Sequence, residues 1–258
     1  MKIPILSELH AEGKKPEILF WVGCAGNYDA RAQKITRAFC EILNNIGQSY
    51  AILGEEEKCT GDPARRAGNE LLFQMLAQQN IETLTNYGIQ KIVCTCPHCF
   101  NTLKNEYPAL GGKFDVIHYS EFLDLLIKEN RIVIQEQEGQ KITYHDSCYL
   151  GRINGVYQAP RSIINSLKHE LVEMKRAKQN GLCCGAGGAQ MFKEEEHGVK
   201  RINTERAEEV INTNSRVVVA NCPFCITMLQ DGIKEKNAQD QVMVYDLAEL
   251  ILQNQKQQ

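Results

Sequence analysis

Cys96-Pro97-His98-Cys99 recurs 126 residues further along the chain as Cys222-Pro223-Phe224-Cys225. Two other cysteine motifs precede each copy at nearly constant spacing. The complete pattern is Gly23-Cys24-Ala25-Gly26, Cys59-Thr60-Gly61 and Cys96-Pro97-His98-Cys99, repeated as Cys148-Tyr149-Leu150-Gly151, Cys183-Cys184-Gly185 and Cys222-Pro223-Phe224-Cys225. The spacing from Cys24 to Cys148, and from Cys59 to Cys183, is 124 residues. The chain is therefore an internal duplication that keeps its thiols in register.

The duplication divides the 258 residues into two halves, each long enough to bury a core of its own. We predict an N-terminal arm at residues 1–16, a first cysteine-rich domain at 17–134 and a second at 141–258. The polar segment 135–140 between them is typical of a linker. Two interpretations of the arm stay open, a docking segment for a partner and a disordered tail.

Short apolar runs alternate with helical patterns in both halves, which is typical of α/β units with a parallel sheet. Ile18–Val22 predicts a buried strand and Ala30–Ile46 the helix after it, whereas Asp62 and Pro63 predict the start of one long helix that closes at Gly88. Each cysteine motif follows a predicted strand, and ligands bind beyond the carboxyl ends of such strands. We predict two pseudo-equivalent α/β domains, each a mostly parallel sheet flanked by helices, with the cysteine loops at the strand ends.

The composition excludes several classes of protein. A net charge of −3 gives no general attraction to nucleic acid or anionic membranes. No apolar run approaches the ~20 residues of a membrane-spanning helix, and the N-terminus lacks the apolar core of a signal peptide. Eleven cysteines, an odd number, favour metal or redox chemistry over a disulfide framework. We expect a cytoplasmic protein that binds no nucleic acid and reaches the membrane only through a partner.

Of the eleven cysteines, two are set aside, which leaves nine candidate metal ligands. Cys94 aligns with Ala220, which is no ligand, and Cys40 has no counterpart, so both are expected to be small buried apolar side chains. Thiolates are the preferred ligands of iron–sulfur clusters and bind zinc as well. The nine candidates are Cys24, Cys59, Cys96, Cys99, Cys148, Cys183, Cys184, Cys222 and Cys225.

Two alternatives to iron–sulfur chemistry follow from the same motifs. Pairs of Cys-x-x-Cys build structural zinc sites, and Cys96-Pro97-His98-Cys99 at a strand–helix junction is similar to a thioredoxin-type active site. The adjacent pair Cys183-Cys184 is unusual for one zinc ion but suits different irons of a cluster. A redox dithiol would leave the remaining candidate cysteines without a role.

The second half resembles the cysteine-rich CCG domain in Cys148, Cys183-Cys184-Gly185 and Cys222-x-x-Cys225. This family includes the catalytic B subunit of heterodisulfide reductase and iron–sulfur oxidoreductases that pass electrons from electron-transfer flavoprotein to menaquinone. Gly23-Cys24-Ala25-Gly26 and the segment 59–66 are most similar to the latter group. The resemblance implies a [4Fe–4S] cluster in each half and electron transfer between a flavoprotein, either electron-transfer flavoprotein or a hydroxy-acid dehydrogenase, and the quinone pool. Reduction of a heterodisulfide or another disulfide, and a zinc-binding interaction module, are the alternatives.

The two halves are unequal, because Thr60 stands where the motif has its second adjacent cysteine. The first site then has four candidate thiolates, enough for a cubane cluster or zinc, whereas the second keeps the five that the resemblance associates with a non-cubane cluster. His145 is a candidate proton donor, with a structural histidine as the alternative. Gly185, Gly187 and Gly188 are expected to let the backbone approach a cluster and donate N–H groups to sulfur.

Apart from the cysteine motifs, the sequence contains no motif typical of an electron carrier. It contains no ferredoxin-type cysteine run, no flavin motif and no haem-bearing membrane segment. We therefore expect electrons to enter or leave through a partner, namely a ferredoxin-like subunit, a flavoprotein or a membrane haem subunit.

Overall fold

Two four-stranded sheets, parallel throughout, form the framework of the computed structural model. The structure describes residues 2–135, 138–194 and 198–255. The strands are β1 (Ile18–Trp21), β2 (Tyr50–Ala51), β3 (Lys91–Cys94), β4 (Asp115–His118), β5 (Lys141–His145), β6 (Glu170–Leu171), β7 (Val217–Ala220) and β8 (Met243–Asp246). Their orders are β2-β1-β3-β4 and β6-β5-β7-β8, so the halves repeat one topology. The predicted duplicated α/β fold is confirmed.

Helices cover both faces of the sheets. The described residues contain α1 (Leu6–Ala11), α2 (Gly23–Tyr28), α3 (Ala30–Asn45), α4 (Asp62–Arg66), α5 (Glu70–Asn86), α6 (Pro97–Asn101), α7 (Tyr119–Lys128), α8 (Gln158–Ser166), α9 (Ile202–Ile211), α10 (Pro223–Glu235) and α11 (Leu247–Asn254). Single π-helical turns follow at Thr102–Glu106 and Tyr149–Ile153. None of the described helices is long and apolar enough to cross a bilayer.

The central strands are buried on both faces, which explains their uninterrupted apolar sequences. All four residues of β1 and all four of β7 are buried. Parallel strands covered by helices on both sides are typically such continuous runs rather than alternating ones. The register pairs Trp21 with Cys94 in the first sheet and His145 with Ala220 in the second. The strand ends of the first sheet thus have the same arrangement as those of the second, and the cysteine loops begin at these ends.

The two halves pack against each other through equivalent helices. Helix α3 lies on α11, and α8 lies on α7, so each half gives the same two helices to the contact. A continuous apolar core that includes Phe39 and Ile163 fills this interface. At its edge the Arg31 guanidinium binds both carboxylate oxygens of Glu249 at 2.6 and 2.7 Å. The interface brings the carboxyl ends of the two sheets together.

The N-terminal segment is part of the first half rather than a disordered tail. Ile5 forms a parallel bridge with Ile52, and Leu6 opens helix α1 and is buried in the core of the first half. Burying this leucine explains why the segment is ordered. Of the predicted linker, residues 136 and 137 lie outside the described part of the chain.

The single long helix predicted after Asp62 is wrong, because the chain forms α4 and α5 instead. Gly68 adopts a φ of 89°, which is incompatible with a continuous right-handed helix. Asn69 then caps α5 by accepting a hydrogen bond from the Leu72 N–H at 3.0 Å. Asp62 is not the predicted cap, since the residue before α4 is Gly61.

Candidate metal centre

The nine candidate cysteines lie in loops and helix starts beyond the carboxyl ends of the strands. In the first half they follow β1, β2 and β3, and in the second half β5, β6 and β7. Cys96 and Cys222 are the cap residues of α6 and α10, each followed by proline in the first helical turn. Helix starts of this kind direct backbone N–H groups and a positive dipole end toward anionic sulfur.

The first set of thiols consists of four cysteines and one hydroxyl. Cys24 interacts with Cys59, and Cys96 interacts with Cys99. The Cys99 sulfur lies against the loop of Cys24, 3.3 Å from where a Cβ on Gly23 would stand, which joins the two pairs. The buried Thr60 hydroxyl donates a hydrogen bond to the Cys99 sulfur at 3.9 Å. We call these four cysteines site 1.

The second set consists of five cysteines in an unbroken chain of contacts. Cys148 interacts with Cys183, and Cys183 interacts with its neighbour Cys184. The sulfur of Cys184 lies 3.3 Å from that of Cys225, which in turn interacts with Cys222. We call these five cysteines site 2. The structure thus brings together all nine predicted residues, in two groups.

A glycine supports the same cysteine in both sites. The Gly61 N–H donates to the Cys59 sulfur at 3.4 Å, and the Gly185 N–H donates to the Cys183 sulfur at 3.3 Å. Their φ angles of 88° and 96° favour glycine. A Cβ at Gly61 would also lie 2.8 Å from the ring of Phe73. The N–H donation expected of Gly185 is present.

Gly187 and Gly188 belong to the turn that follows Cys183-Cys184. The Gly187 carbonyl accepts a hydrogen bond from the Gln190 N–H at 3.2 Å, and Gly188 has a φ of 67°. A role of these two glycines toward a cofactor stays a prediction. The two cysteines set aside, Cys40 and Cys94, are fully buried in apolar cores, as expected.

A half-buried carboxylate ties two loops of site 1 together. Glu57 accepts hydrogen bonds from the backbone N–H groups of Val22 at 3.0 Å and of Gly23 at 2.6 Å. Burial raises the pKa of Glu57 to about 7. Asn80 donates to the Cys59 carbonyl at 3.0 Å. No local sequence signal indicates this role, because Glu57 ends an acidic run typical of an exposed surface.

A buried ion pair ties the two loops of site 2 together. Asp146 accepts two hydrogen bonds from the Arg161 guanidinium, at 2.8 and 2.9 Å, and one from the Lys178 N–H at 2.6 Å. Arg152 donates to the Gly181 carbonyl at 2.6 Å. These contacts join the loop of Cys148 to the loop of Cys183-Cys184.

His145 lies beside site 2, as predicted, but in a state unsuited to proton delivery. One ring nitrogen, Cys184 Sγ and Cys225 Sγ all lie within 4.8 Å of one another. The side chain is fully buried, and burial together with the nearby Arg206 lowers its pKa to about 3. A neutral ring without access to solvent lacks the two features that proton delivery near neutral pH requires.

Aromatic rings cross the interface between the sites. The His98 ring stacks on Tyr149 of the other half, with centroids 4.1 Å apart, and meets the edge of Phe224 at 5.7 Å. The His98 Nδ1 lies 2.9 Å from an Asp62 carboxylate oxygen. Burial favours the neutral ring, but the hydrogen bond to Asp62 and the nearby Cys96 raise the pKa of His98 on balance. His98 therefore links Asp62 of its own half to two aromatic rings of the other half.

The two sites adjoin through their most buried thiols. Cys96 of site 1 interacts directly with Cys222 of site 2. The Cys-x-x-Cys pairs of both halves are buried, whereas the outer thiols of Cys24, Cys59, Cys148 and Cys183 are half-buried. Each site therefore has one edge facing its counterpart and one edge nearer the solvent.

An apolar cavity of about 450 Å³ opens beside the outer edge of site 1. Cys24 and Phe224 contribute to its wall, together with Tyr28 and Phe192, whose side chains are 86% and 63% exposed. Two exposed aromatic rings beside a half-buried thiol are uncommon on a monomer surface and are typical of a contact region.

The thiols are too close together to ionise jointly without a cation. Cys59 raises the pKa of Cys24, and Cys24 lowers the pKa of Cys59 to about 7. Cys148 and Cys183 of site 2 show the same pattern. Cys183 raises the pKa of Cys148, and the pKa of Cys183 itself lies well below its usual range. A metal centre would remove the conflict, because bound metal stabilises every thiolate at once.

Buried polar atoms without a hydrogen-bond partner surround the thiols. Asn221 directly precedes Cys222, and Trp21 and His145 end the strands that lead to Cys24 and Cys148. All three are described side chains with such an atom. Buried polar groups usually have partners, and the inorganic sulfide of a cluster accepts hydrogen bonds. The donor set therefore fits an iron–sulfur cluster.

Comparison with known proteins agrees with this geometry. The family model for the cysteine-rich domain CCG matches residues 18–104 and 142–230. Probable iron-sulfur-binding oxidoreductase FadF of Bacillus subtilis is 48% identical over 98% of the chain, and EtfAB:quinone oxidoreductase of Syntrophomonas wolfei is 45% identical over 94%. A subunit of dihydromethanophenazine:CoB–CoM heterodisulfide reductase of Methanosarcina barkeri is 34% identical over 92%. The chain spans 36%, 35% and 58% of these relatives.

A solved structure shares the architecture. A hypothetical protein from Helicobacter pylori superposes with a TM-score of 0.58 over 93% of this chain and 49% of its own, at 8% sequence identity. At that identity the likeness concerns the fold alone. The function therefore has to be inferred from the cysteines and not from this structural similarity.

Proposed function

The chain belongs to the cysteine-rich CCG domain family, and from this premise we propose that it is an iron–sulfur electron-transfer module of an oxidoreductase. The observation that carries the proposal is the meeting of nine thiols in two adjoining groups, with Cys96 of site 1 against Cys222 of site 2. Thiols on six separate loops have no structural need to converge in a core that is already apolar. Binding of inorganic clusters explains the convergence.

We assign four thiolate ligands to site 1 and five to site 2. A [4Fe–4S] cluster at each site would supply one-electron transfer. Site 1 would hold a cubane cluster, and site 2 the non-cubane form. The protein would hold the thiolates in place, neutralise sulfur charge through the N–H groups of Gly61 and Gly185, and exclude water from the inner edges. Gly187 and Gly188 are assigned to the same loop.

The burial of the thiols suggests the path that electrons would take through the two sites. The buried inner edges meet at Cys96 and Cys222, so electrons pass between the sites there. The outer edges, at Cys24 and Cys148, are the points of entry and exit. We place a flavoprotein at one edge and a route to the quinone pool at the other, with a membrane haem subunit or a ferredoxin-like carrier as intermediary. The protein would work at the cytoplasmic side and meet the membrane through that partner.

Disulfide reduction is the second candidate function. The specific observation in its favour is that site 2 retains all five thiols of the CCG pattern and lies against a second redox site. Cleaving a disulfide consumes two electrons and two protons, and two adjoining clusters would supply one electron each. The similarity to part of a heterodisulfide reductase supports this candidate.

Metal analysis of anaerobically purified protein tests the proposal first. We expect a brown protein with about eight irons and eight acid-labile sulfides per chain, and two distinct paramagnetic species on reduction. About four irons together with one zinc would assign zinc to site 1. A colourless protein that contains only zinc would rule out electron transfer.

Kinetics of cluster reduction and oxidation then separate the two candidate functions. We expect reduced electron-transfer flavoprotein to bleach the visible absorbance, and a menaquinone analogue with the membrane partner to restore it. Rapid reoxidation by a small disulfide, without the membrane partner, would favour the disulfide reductase.

A further inference from the structure

Two buried ring nitrogens occupy the same position in the two halves and lack a partner. Trp21 ends β1 and His145 ends β5, each three residues before the first cysteine of its half. Both side chains are fully buried. Trp21 Nε1 and His145 Nε2 have no hydrogen-bond partner among the described residues. A buried donor without an acceptor costs free energy, so its presence in both halves calls for an acceptor.

The proton of His145 is fixed on Nε2 by a neighbouring cation. The Arg206 Nε–H donates to His145 Nδ1 at 3.0 Å. A guanidinium does not give up its proton, so Nδ1 must be the unprotonated nitrogen and Nε2 carries the hydrogen. Arg206 is itself held by the Glu209 carboxylate at 2.5 Å and the Arg176 carbonyl at 2.8 Å. His145 is therefore an N–H donor at Nε2 and not a metal ligand there.

The His145 ring lies beside the sulfurs of site 2, and the Trp21 ring lies in the apolar core that contains two cysteines of site 1. A His145 ring nitrogen is within 4.8 Å of the sulfurs of Cys184 and Cys225. Trp21 packs in the same buried cluster as Cys96 and Cys99. The position is equivalent in the two sheets, although the side chains differ in chemistry. Their shared property is a ring N–H, and an indole nitrogen is a donor only.

We propose that His145 and Trp21 each donate a ring N–H hydrogen bond to a sulfur of the cluster in their own half, and that this bond raises the reduction potential of that cluster. The inference rests on the proposed function, since it requires clusters at both sites. A hydrogen bond to sulfur stabilises the extra negative charge of the reduced state, which makes reduction easier. Arg206 is a positioning residue, because it fixes the tautomer that can donate.

Redox titrations of the loaded full chain test the proposal. In Trp21→Phe the site 1 potential should fall and that of site 2 stay constant, and in His145→Phe the reverse should hold. We expect about a tenfold change in the reduction equilibrium constant, which is roughly 59 mV for one electron. His145→Gln, which keeps an N–H donor, should restore most of the site 2 potential.

A measurement on the unmodified protein makes the test independent of how the variants fold. Pulsed paramagnetic resonance after transfer to D₂O should detect an exchangeable proton coupled to each reduced cluster. Fully loaded Phe variants with unchanged potentials, or no exchangeable coupling in the unmodified protein, would overturn the inference alone. An unmodified protein without any cluster would overturn the proposed function and this inference with it.

Discussion

The two cysteine sites share one geometry and differ in one side chain. In site 1 the Thr60 hydroxyl donates to the Cys99 sulfur at 3.9 Å, and in site 2 the Cys184 sulfur lies 3.3 Å from that of Cys225. Both side chains thus face the last cysteine of the Cys-x-x-Cys motif in their own half. The fold therefore fixes where this side chain points, whereas its chemistry decides whether a site offers four thiols or five.

The loops of the two sites are held by different residues for the same purpose. In site 1 Glu57, in the second loop, reaches back to the N–H groups of the first. In site 2 Asp146, in the first loop, reaches forward to Arg161 and to the Lys178 N–H. Each half therefore has a carboxylate that joins its cysteine loops, and joining the loop backbones holds the thiols of separate loops together.

Cys184→Thr gives site 2 the side chain of site 1 and should have the largest effect. The paramagnetic signal assigned to the five-thiol cluster should disappear or become like that of site 1, because one ligand is replaced by a hydroxyl that iron binds poorly. The site 1 signal should persist. Resonance spectra of the reduced protein check this, with Cys40→Ala as the matched control that leaves both signals intact. An unchanged site 2 signal would mean that Cys184 binds no iron.

Thr60→Cys makes the reverse change and should have the next largest effect. Thr60 is buried and already faces Cys99, so the new thiol takes the place of a group of similar size. We expect a change in the site 1 signal toward that of site 2, while site 2 stays as it is. The same spectra provide the measurement. A site 1 signal identical to that of the unmodified protein would show that ligand number is not what distinguishes the halves.

Arg161→Met tests the buried ion pair between Arg161 and Asp146 in site 2. The substitution leaves the buried Asp146 carboxylate without its guanidinium partner, which costs about 3–5 kcal/mol. The thermal unfolding midpoint should fall by roughly 10 °C. Breaking the exposed pair of Lys14 with Glu12 by Lys14→Met should shift the midpoint by only about 2 °C, since these side chains are 67% and 58% exposed. Equal shifts in the two variants would contradict the structural role of the ion pair.

The sequence predicted the parts of the site that repeat. Cys96-Pro97-His98-Cys99 and its copy could be placed at strand ends because an apolar run precedes each. The alignment of Cys94 with Ala220 predicted a small buried side chain, and Cys94 is fully buried. Because every cysteine motif follows a strand of a parallel sheet, convergence on one edge could be expected.

The sequence could not predict contacts between distant segments. The pairing of Asp146 with Arg161 and the role of Glu57 depend on how loops meet in space, and neither leaves a local pattern. Asp62 shows the same limit, because its carboxylate binds Arg66 and His98 rather than capping a helix. A propensity for capping is a weak signal when a neighbouring cation competes for the side chain.

The residues that end β4 and β8 also differ between the two halves, and changing them should have the smallest effect. His118 in the first half and Asp246 in the second cap the following helices, accepting from the N–H groups of Ser120 and Ala248. Burial, reinforced by Glu249, raises the pKa of Asp246 to about 7. The folded protein therefore keeps this proton from about pH 4 to pH 7 while the unfolded chain loses it, so stability falls as pH rises through that window.

Asp246→Asn removes that titration and keeps an oxygen that accepts hydrogen bonds. The unfolding midpoint of the variant, relative to the unmodified protein, should therefore rise by a few degrees between pH 5 and pH 8. Scans at both pH values check this, and the exposed Asp240→Asn should follow the unmodified protein at each. A constant difference between Asp246→Asn and the unmodified protein would show that Asp246 is ionised throughout. The Tyr119 hydroxyl, which donates to Asp246 at 2.7 Å across the interface, would then be bound to a buried anion.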